Sequence, residues 1–360
     1  MRISIKFLAF TFTLFFTCHP LESFALRNTL SPDQIERLRT AKIINVQTIA
    51  LTENGAVESD GIRNVVSDRL QALGFTVVQS PKEPSDVALK VKCEERRSKV
   101  AMSRVGGDAD QPGTPSRIWN GPACQFTYRV DGQQGPWRQE VRTSFEDAWQ
   151  EAQEHGLKDS GLYAMEQLKQ ALEQSDFPLR LLAEWKQDQR LASLLTAPTS
   201  SPKTKQIVLQ LAKNTPGKPM LQALKTTMAD SALAPDATRA MGYMGTAAAP
   251  VLLDLLEKSE SVEIKASAAH ALGEIGAHSG DITILPTLLA MMDAPQIDLG
   301  VQTEIVKAVG KIPDRKSVAP LKKLGVKAWT SRSPDPRMQD LREAIDWSLW
   351  QINPSAHTEE

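Results

Sequence analysis

The apolar positions change their period several times along the first half of the chain. Residues 43–51 (Ile-Ile-Asn-Val-Gln-Thr-Ile-Ala-Leu) are dense in β-branched side chains and predict a strand. From Asp60 the spacing becomes helical, with Ile62, Val65, Val66, Leu70 and Leu73 on one face and Gly74 at the closing position. Phe75 to Val78 return to a strand pattern. Val87, Leu89, Val91 and Cys93 then alternate with other residues, and Phe126, Tyr128 and Val130 do so after Cys124. Trp137 to Phe145 predicts a last strand. A short helix near residues 32–40 precedes these elements. A long helix follows from Glu146 to about Gln174, with a break expected between Gly156 and Gly161. The order β-α-β-β-β-β-α predicts a small sheet with helices on one face.

The second half repeats itself. Ala271-Leu-Gly-Glu-Ile-Gly276 has a counterpart upstream in Ala240-Met-Gly-Tyr-Met-Gly245 and another downstream in Ala308-Val-Gly-Lys-Ile-Pro313. A final copy, Ala344 to Ile352, keeps the apolar pattern without the glycines. The centres Gly242, Gly273, Gly310 and Trp350 lie 31, 37 and 40 residues apart, the spacing of a two-helix repeat. Prolines supply a second, independent period: Pro219, Pro250, Pro286 and Pro320 each open an amphipathic run, and Pro178 marks an earlier one. Proline is tolerated there because the first helical N–H groups have no intrahelical partner. Four helix pairs are expected from about Lys203 onward, with a fifth beginning near Pro178. The Ala-Pro-Thr-Ser-Ser-Pro run between Thr196 and Lys203 reads as a loop.

The segment from Val262 to Gly276 resembles the second helix of a HEAT repeat, and the array is similar to the PBS-lyase HEAT-like family. That resemblance implies an α-solenoid whose units stack to bury apolar faces that none could bury alone. It also implies that the second helices line a concave side. Aligning the copies sets Asp236, Arg239 and Tyr243 in register with Ser267, His270 and Glu274, then with Glu304, Lys307 and Lys311, and finally with Trp347 and Gln351. These positions form the candidate partner-binding stripe, with an ordinary solvated face as the alternative. The N-terminal unit is similar to small envelope lipoprotein domains, without a diagnostic motif.

The first 25 residues change the compartment. A basic start with Arg2 and Lys6 precedes the apolar run Phe7–Thr17, too short for the roughly 20 residues a spanning helix requires. Ser23-Phe-Ala25 offers small residues for cleavage before Leu26. The expectation is a signal peptide over residues 1–25 and a periplasmic or secreted chain, with an uncleaved anchor as the alternative. Cys18 leaves with that segment. Cys93 and Cys124 remain, and in an oxidising compartment they are disulfide candidates, the alternative being two buried free thiols.

Composition narrows the function classes. The 360 residues are 41% apolar and 24% charged, as in folded soluble proteins. Forty-two basic residues against 43 acidic give a net charge of -1, so no global positive field attracts nucleic acid. No His-Glu-x-x-His, Cys-x-x-Cys, Gly-x-Ser-x-Gly or phosphate-cradling glycine loop occurs. The iron-dependent hydroxylases of HEAT-like architecture depend on His-Glu dipeptides, which are lacking. Between Ser98 and Pro122 the chain is rich in Gly and Pro. Asp108-Ala-Asp110 begins like a calcium loop, but Pro112 and Trp119 stand where ligands are needed. The cluster Arg96, Arg97, Lys99 and Arg104 reads as a solvated loop flank.

The sequence therefore predicts an α+β fold class: a signal peptide (1–25), a sheet-plus-helix domain (26–176), a HEAT-like helical array (177–352) and a tail (353–360). No catalytic residue, cofactor or metal is expected. The favoured function is a non-enzymatic exported scaffold that binds another protein through the concave face. The alternative is a lyase-like enzyme or small-ligand module using the cleft between the two domains.

Overall fold

A computed structural model describes residues 29–95 and 121–353. The expected signal peptide, the calcium-like segment, the basic cluster at 96–104 and most of the tail lie outside the described residues.

Helix α1 (Pro32–Thr40) starts at a capping box in which Ser31 and Gln34 satisfy each other's backbone N–H groups. Strand β1 (Ile43–Thr52) follows, then the short β2 (Gly55–Val57), helix α2 (Asp60–Ala72) and strands β3 (Thr76–Val78), β4 (Val87–Glu94), β5 (Ala123–Val130), β6 (Gln133–Gln134) and β7 (Gln139–Arg142). β1, β4 and β5 form the centre of one sheet, β1 parallel to β4 and β4 antiparallel to β5. β2 and β3 share the outer side of β1, and β6 and β7 share that of β5.

Alternation along β4 buries Val87, Leu89, Val91 and Cys93 while Lys90 is exposed. Cys124, Phe126, Tyr128 and Val130 of β5 are likewise buried. After the last strand come α3 (Ala148–Glu154) and α4 (Ser160–Gln174); α4 packs on both α2 and α3, and α2 and α4 pack on the sheet. Arg69 ties α2 to the end of α4 by donating to the carbonyls of Leu172 and Ser175. The long helix read from Glu146 to Gln174 is divided where expected, at His155–Asp159, with Gly156 in the left-handed region.

Cys93 and Cys124 stand opposite each other in the β4–β5 register and form a disulfide. Two hairpins were not foreseen: β1–β2 and β5–β6, the latter turning at Asp131 and Gly132, both with positive φ. The strand read from Trp137 to Phe145 shortens to β7, since only Gln139–Arg142 pair with β5.

The remaining chain is helical: α5 (Phe177–Glu184), α6 (Asp188–Thr196), α7 (Pro202–Leu211), α8 (Lys218–Thr227), α9 (Ala234–Met241), α10 (Ala249–Lys258), α11 (Val262–Ser279), α12 (Leu285–Met292), α13 (Leu299–Lys311), α14 (Val318–Thr330) and α15 (Arg337–Ile352). Proline occupies the first turn of α5, α7, α8, α9, α10 and α12. α9, α11, α13 and α15 pack in succession as second helices, and α8 to α15 make the four pairs expected. The earlier pair differs from the reading at Pro178. α6 packs on α8 and α7 on α9, so α6 and α7 continue the array while α5 lies against the sheet.

Glycines set the spacing of the second helices. A Cβ at Gly242 would lie 2.9 Å from the Cα of Ala271, one at Gly273 2.7 Å from the Cα of Ala308, and one at Gly310 2.8 Å from the Cα of Ser348. Neighbouring backbones thus approach closer than any side chain allows.

One apolar core runs from the sheet into the array. The Phe126 ring stacks on Phe177, and Trp185 meets Phe75 and Tyr128 edge-on. The Tyr128 hydroxyl donates to Glu184 at 3.2 Å, and Gln187 Nε2 donates to the carbonyls of Leu38 and Ala41 at 2.9 and 3.2 Å.

Candidate functional site

The stripe read from the repeat alignment runs along the second helices, and its members fare differently. Asp236 and Arg239 of α9 are exposed. Tyr243, in the 3-10 turn after α9, is 38% exposed, and its ring meets that of His278 edge-on at 6.4 Å. Ser267, expected on the exposed stripe, is instead fully buried. α11 is covered by α9 on one side and α13 on the other, so the face available there is narrower than the alignment implies. Gln351 is exposed near the end of α15.

The centre of the stripe is one ionic network. Glu304 receives a hydrogen bond from Lys307 Nζ at 2.8 Å and faces His270 Nδ1 at 3.4 Å. Glu274 binds Lys311 and lies 3.8 Å from His270 Nε2. His278 Nδ1 lies 3.7 Å from the other oxygen of Glu274 and 2.8 Å from its carbonyl. The Glu274–Lys311 pair spans α11 and α13, 37 residues apart, the same offset as Gly273 and Gly310.

The network holds both carboxylates ionised. His270 and the Lys307 ammonium bring Glu304 down to about 2 against the cost of its partial burial. Burial opposes ionisation of Glu274 as well, but Lys311, His270 and His278 outweigh it, and its pKa is lowered. Among the described residues no group of three or more His, Cys, Asp or Glu is placed to hold a metal ion.

Beside the network, α13 and α15 enclose a groove of about 610 Å³. His270, Glu304, Lys307 and Lys311 form one wall, and Trp347, 39% exposed, stands on the other. Arg337, Asp340 and Glu343 complete that second wall. The repeat alignment missed these three, although Asp340 and Glu343 fall seven and four residues before Trp347, on its helical face. Arg337 is paired with Asp335 and Asp298. The lining thus combines charged side chains with one exposed aromatic ring.

Residues 249–333, from α10 through α14, match the family described as HEAT repeats. The C-terminal half therefore carries a HEAT-repeat region. No curated protein matches the chain. Among the described residues no helix is long and apolar enough to cross a membrane.

Proposed function

We propose that this chain is an exported, non-enzymatic scaffold that grips another protein along the concave, second-helix face of its array. HEAT repeats generally mediate contact between proteins, and the observation that carries the proposal here is the α13–α15 groove. It presents an exposed tryptophan beside side chains already fixed by their ion pairs. Exposed aromatic anchors of this kind dominate binding energy when a partner covers them. Within this reading the array is of the PBS-lyase HEAT-like kind, and the sheet unit is a relative of small envelope lipoprotein domains. The boundary between the two units falls at Asp176–Phe177.

Export is supported by the leader-like first 25 residues and by the disulfide between Cys93 and Cys124. The test is capture from envelope extract on the wild-type protein and on Tyr243→Ala/Trp347→Ala. A partner retained by the wild type and lost from the double variant supports the scaffold reading, and equal retention or no partner counts against it.

A second reading, a small-ligand or lyase-like module working between the two units, is favoured by an open cleft of about 860 Å³ where α1 meets α6. A thermal-shift screen with any hit mapped to that junction tests it.

A further inference from the structure

The cleft between the end of α1 and the start of α6 has an unusual charge. Arg39, Lys42, Lys186 and Arg190 line it, and Asp188 is the one carboxylate among its lining residues. Arg39 has its own counter-ion in Glu36, 3.2 Å away. Lys186 donates to the uncharged carbonyl of Asn214 at 2.6 Å. The Arg190 guanidinium lies 4.0 Å over the Phe75 ring. With Glu36 counted, four cations stand against two carboxylates. Two positive charges are left over.

The chain that follows Asp188 is itself basic: residues 189–229 contain Arg190, Lys203, Lys205, Lys213, Lys218 and Lys225 and no acidic residue, though of these only Arg190 lines the cleft. Two polar atoms on the cleft wall, Asp188 Oδ1 and Arg190 Nη1, are buried without a hydrogen-bond partner, where most such atoms have one. Lys186 also takes a φ of 54°, in the left-handed region that costs a side-chain-bearing residue energy. The neighbouring Gln187 locks it there through its bonds to the carbonyls of Leu38 and Ala41.

We infer that this cleft binds a dianionic phosphate monoester. Such a group is doubly charged above its second pKa of about 6, so it cancels the two leftover charges, whereas a carboxylate cancels one. Arg190 supplies planar donors, and Lys42 and Lys186 supply compact ammonium charges, the combination that recognises phosphate. Asp188 holds the excess at two. The inference deepens the small-ligand reading of this cleft and is independent of the scaffold reading. The phosphate comes either on a small soluble molecule or on a lipid headgroup.

Calorimetric titration of the purified protein with glycerol 3-phosphate, with acetate as the monoanion control, tests the site directly. Sedimentation with phosphatidic acid vesicles, against phosphatidylcholine vesicles, tests the lipid source. Saturable binding of glycerol 3-phosphate, weakened at least about tenfold in Arg190→Gln and in Arg39→Gln/Lys42→Gln, supports a soluble ligand. The double variant changes two exposed side chains and keeps the test valid if Arg190→Gln fails to fold. Sedimentation with phosphatidic acid alone, lost in the variants, supports the lipid source. Binding unaffected by either variant, an equal response to acetate, or no binding in both experiments overturns the inference.

Discussion

The rings of Phe126 and Phe177 stack with centroids 4.0 Å apart and planes 23° from parallel. Phe126 lies on a central strand, and Phe177 is the first residue of α5, so the contact joins the sheet to the helical region. Both are essentially inaccessible to water. Phe177→Ala should therefore cost about 3–5 kcal/mol. The loss should shift far-ultraviolet dichroism and tryptophan fluorescence to the same lower urea midpoint. Separate midpoints for the two signals would show that the sheet and the array unfold independently.

The Cys93–Cys124 bridge closes a span of 31 residues between two central strands. In the chain-entropy account a loop of that size confers about 3–4 kcal/mol. The paired serine variant Cys93→Ser/Cys124→Ser should lose most of that in chemical denaturation. Reducing agent should lower the midpoint of the wild type and leave the variant unmoved.

Glycine-to-alanine changes should have one sign at Gly273 and Gly310 and the opposite sign at Gly325. At Gly273 and Gly310 the added methyl meets backbone at 2.7 and 2.8 Å, and overpacking of about 1–3 kcal/mol outweighs the gain in helix propensity. At Gly325 the nearest atom is a methyl of Ile345 at 3.5 Å, an ordinary contact. Gly325→Ala should be stabilising by up to about 1 kcal/mol. Thermal midpoints of the three variants decide the matter.

Glu304 makes stability depend on acid. Its folded pKa of about 2 lies below the ordinary 4.5, so its contribution is complete above that ordinary value and disappears as pH falls through the folded one. Denaturation at about pH 6 and about pH 3 should show a smaller difference for Glu304→Gln than for the wild type. An unchanged difference would remove Glu304 from the acid response.

The array was legible because two local signals carry it. Prolines mark helix starts, and glycines mark where backbones touch. Ser267 was misplaced because spacing gives a residue's angle on its own helix, while its burial depends on how closely α9 and α13 flank α11. Asp340 and Glu343 were missed because the last copy lacks the glycines that aligned the others. The two small hairpins do carry a local signal: Asn54-Gly55 and Asp131-Gly132 are the dipeptides that favour tight turns with positive φ. The joint between sheet and array had no local signal, since Phe126, Phe177 and Trp185 read as ordinary core residues within their own elements.

The aromatic seam under α5 gives the array one anchored end. A solenoid needs its terminal units shielded, and here the sheet takes the place of a closing repeat, covering the flank that α5 and α6 turn toward it. A helix pair gained or lost within the array therefore leaves this weld intact, because the aromatic rings that form it lie outside the repeats.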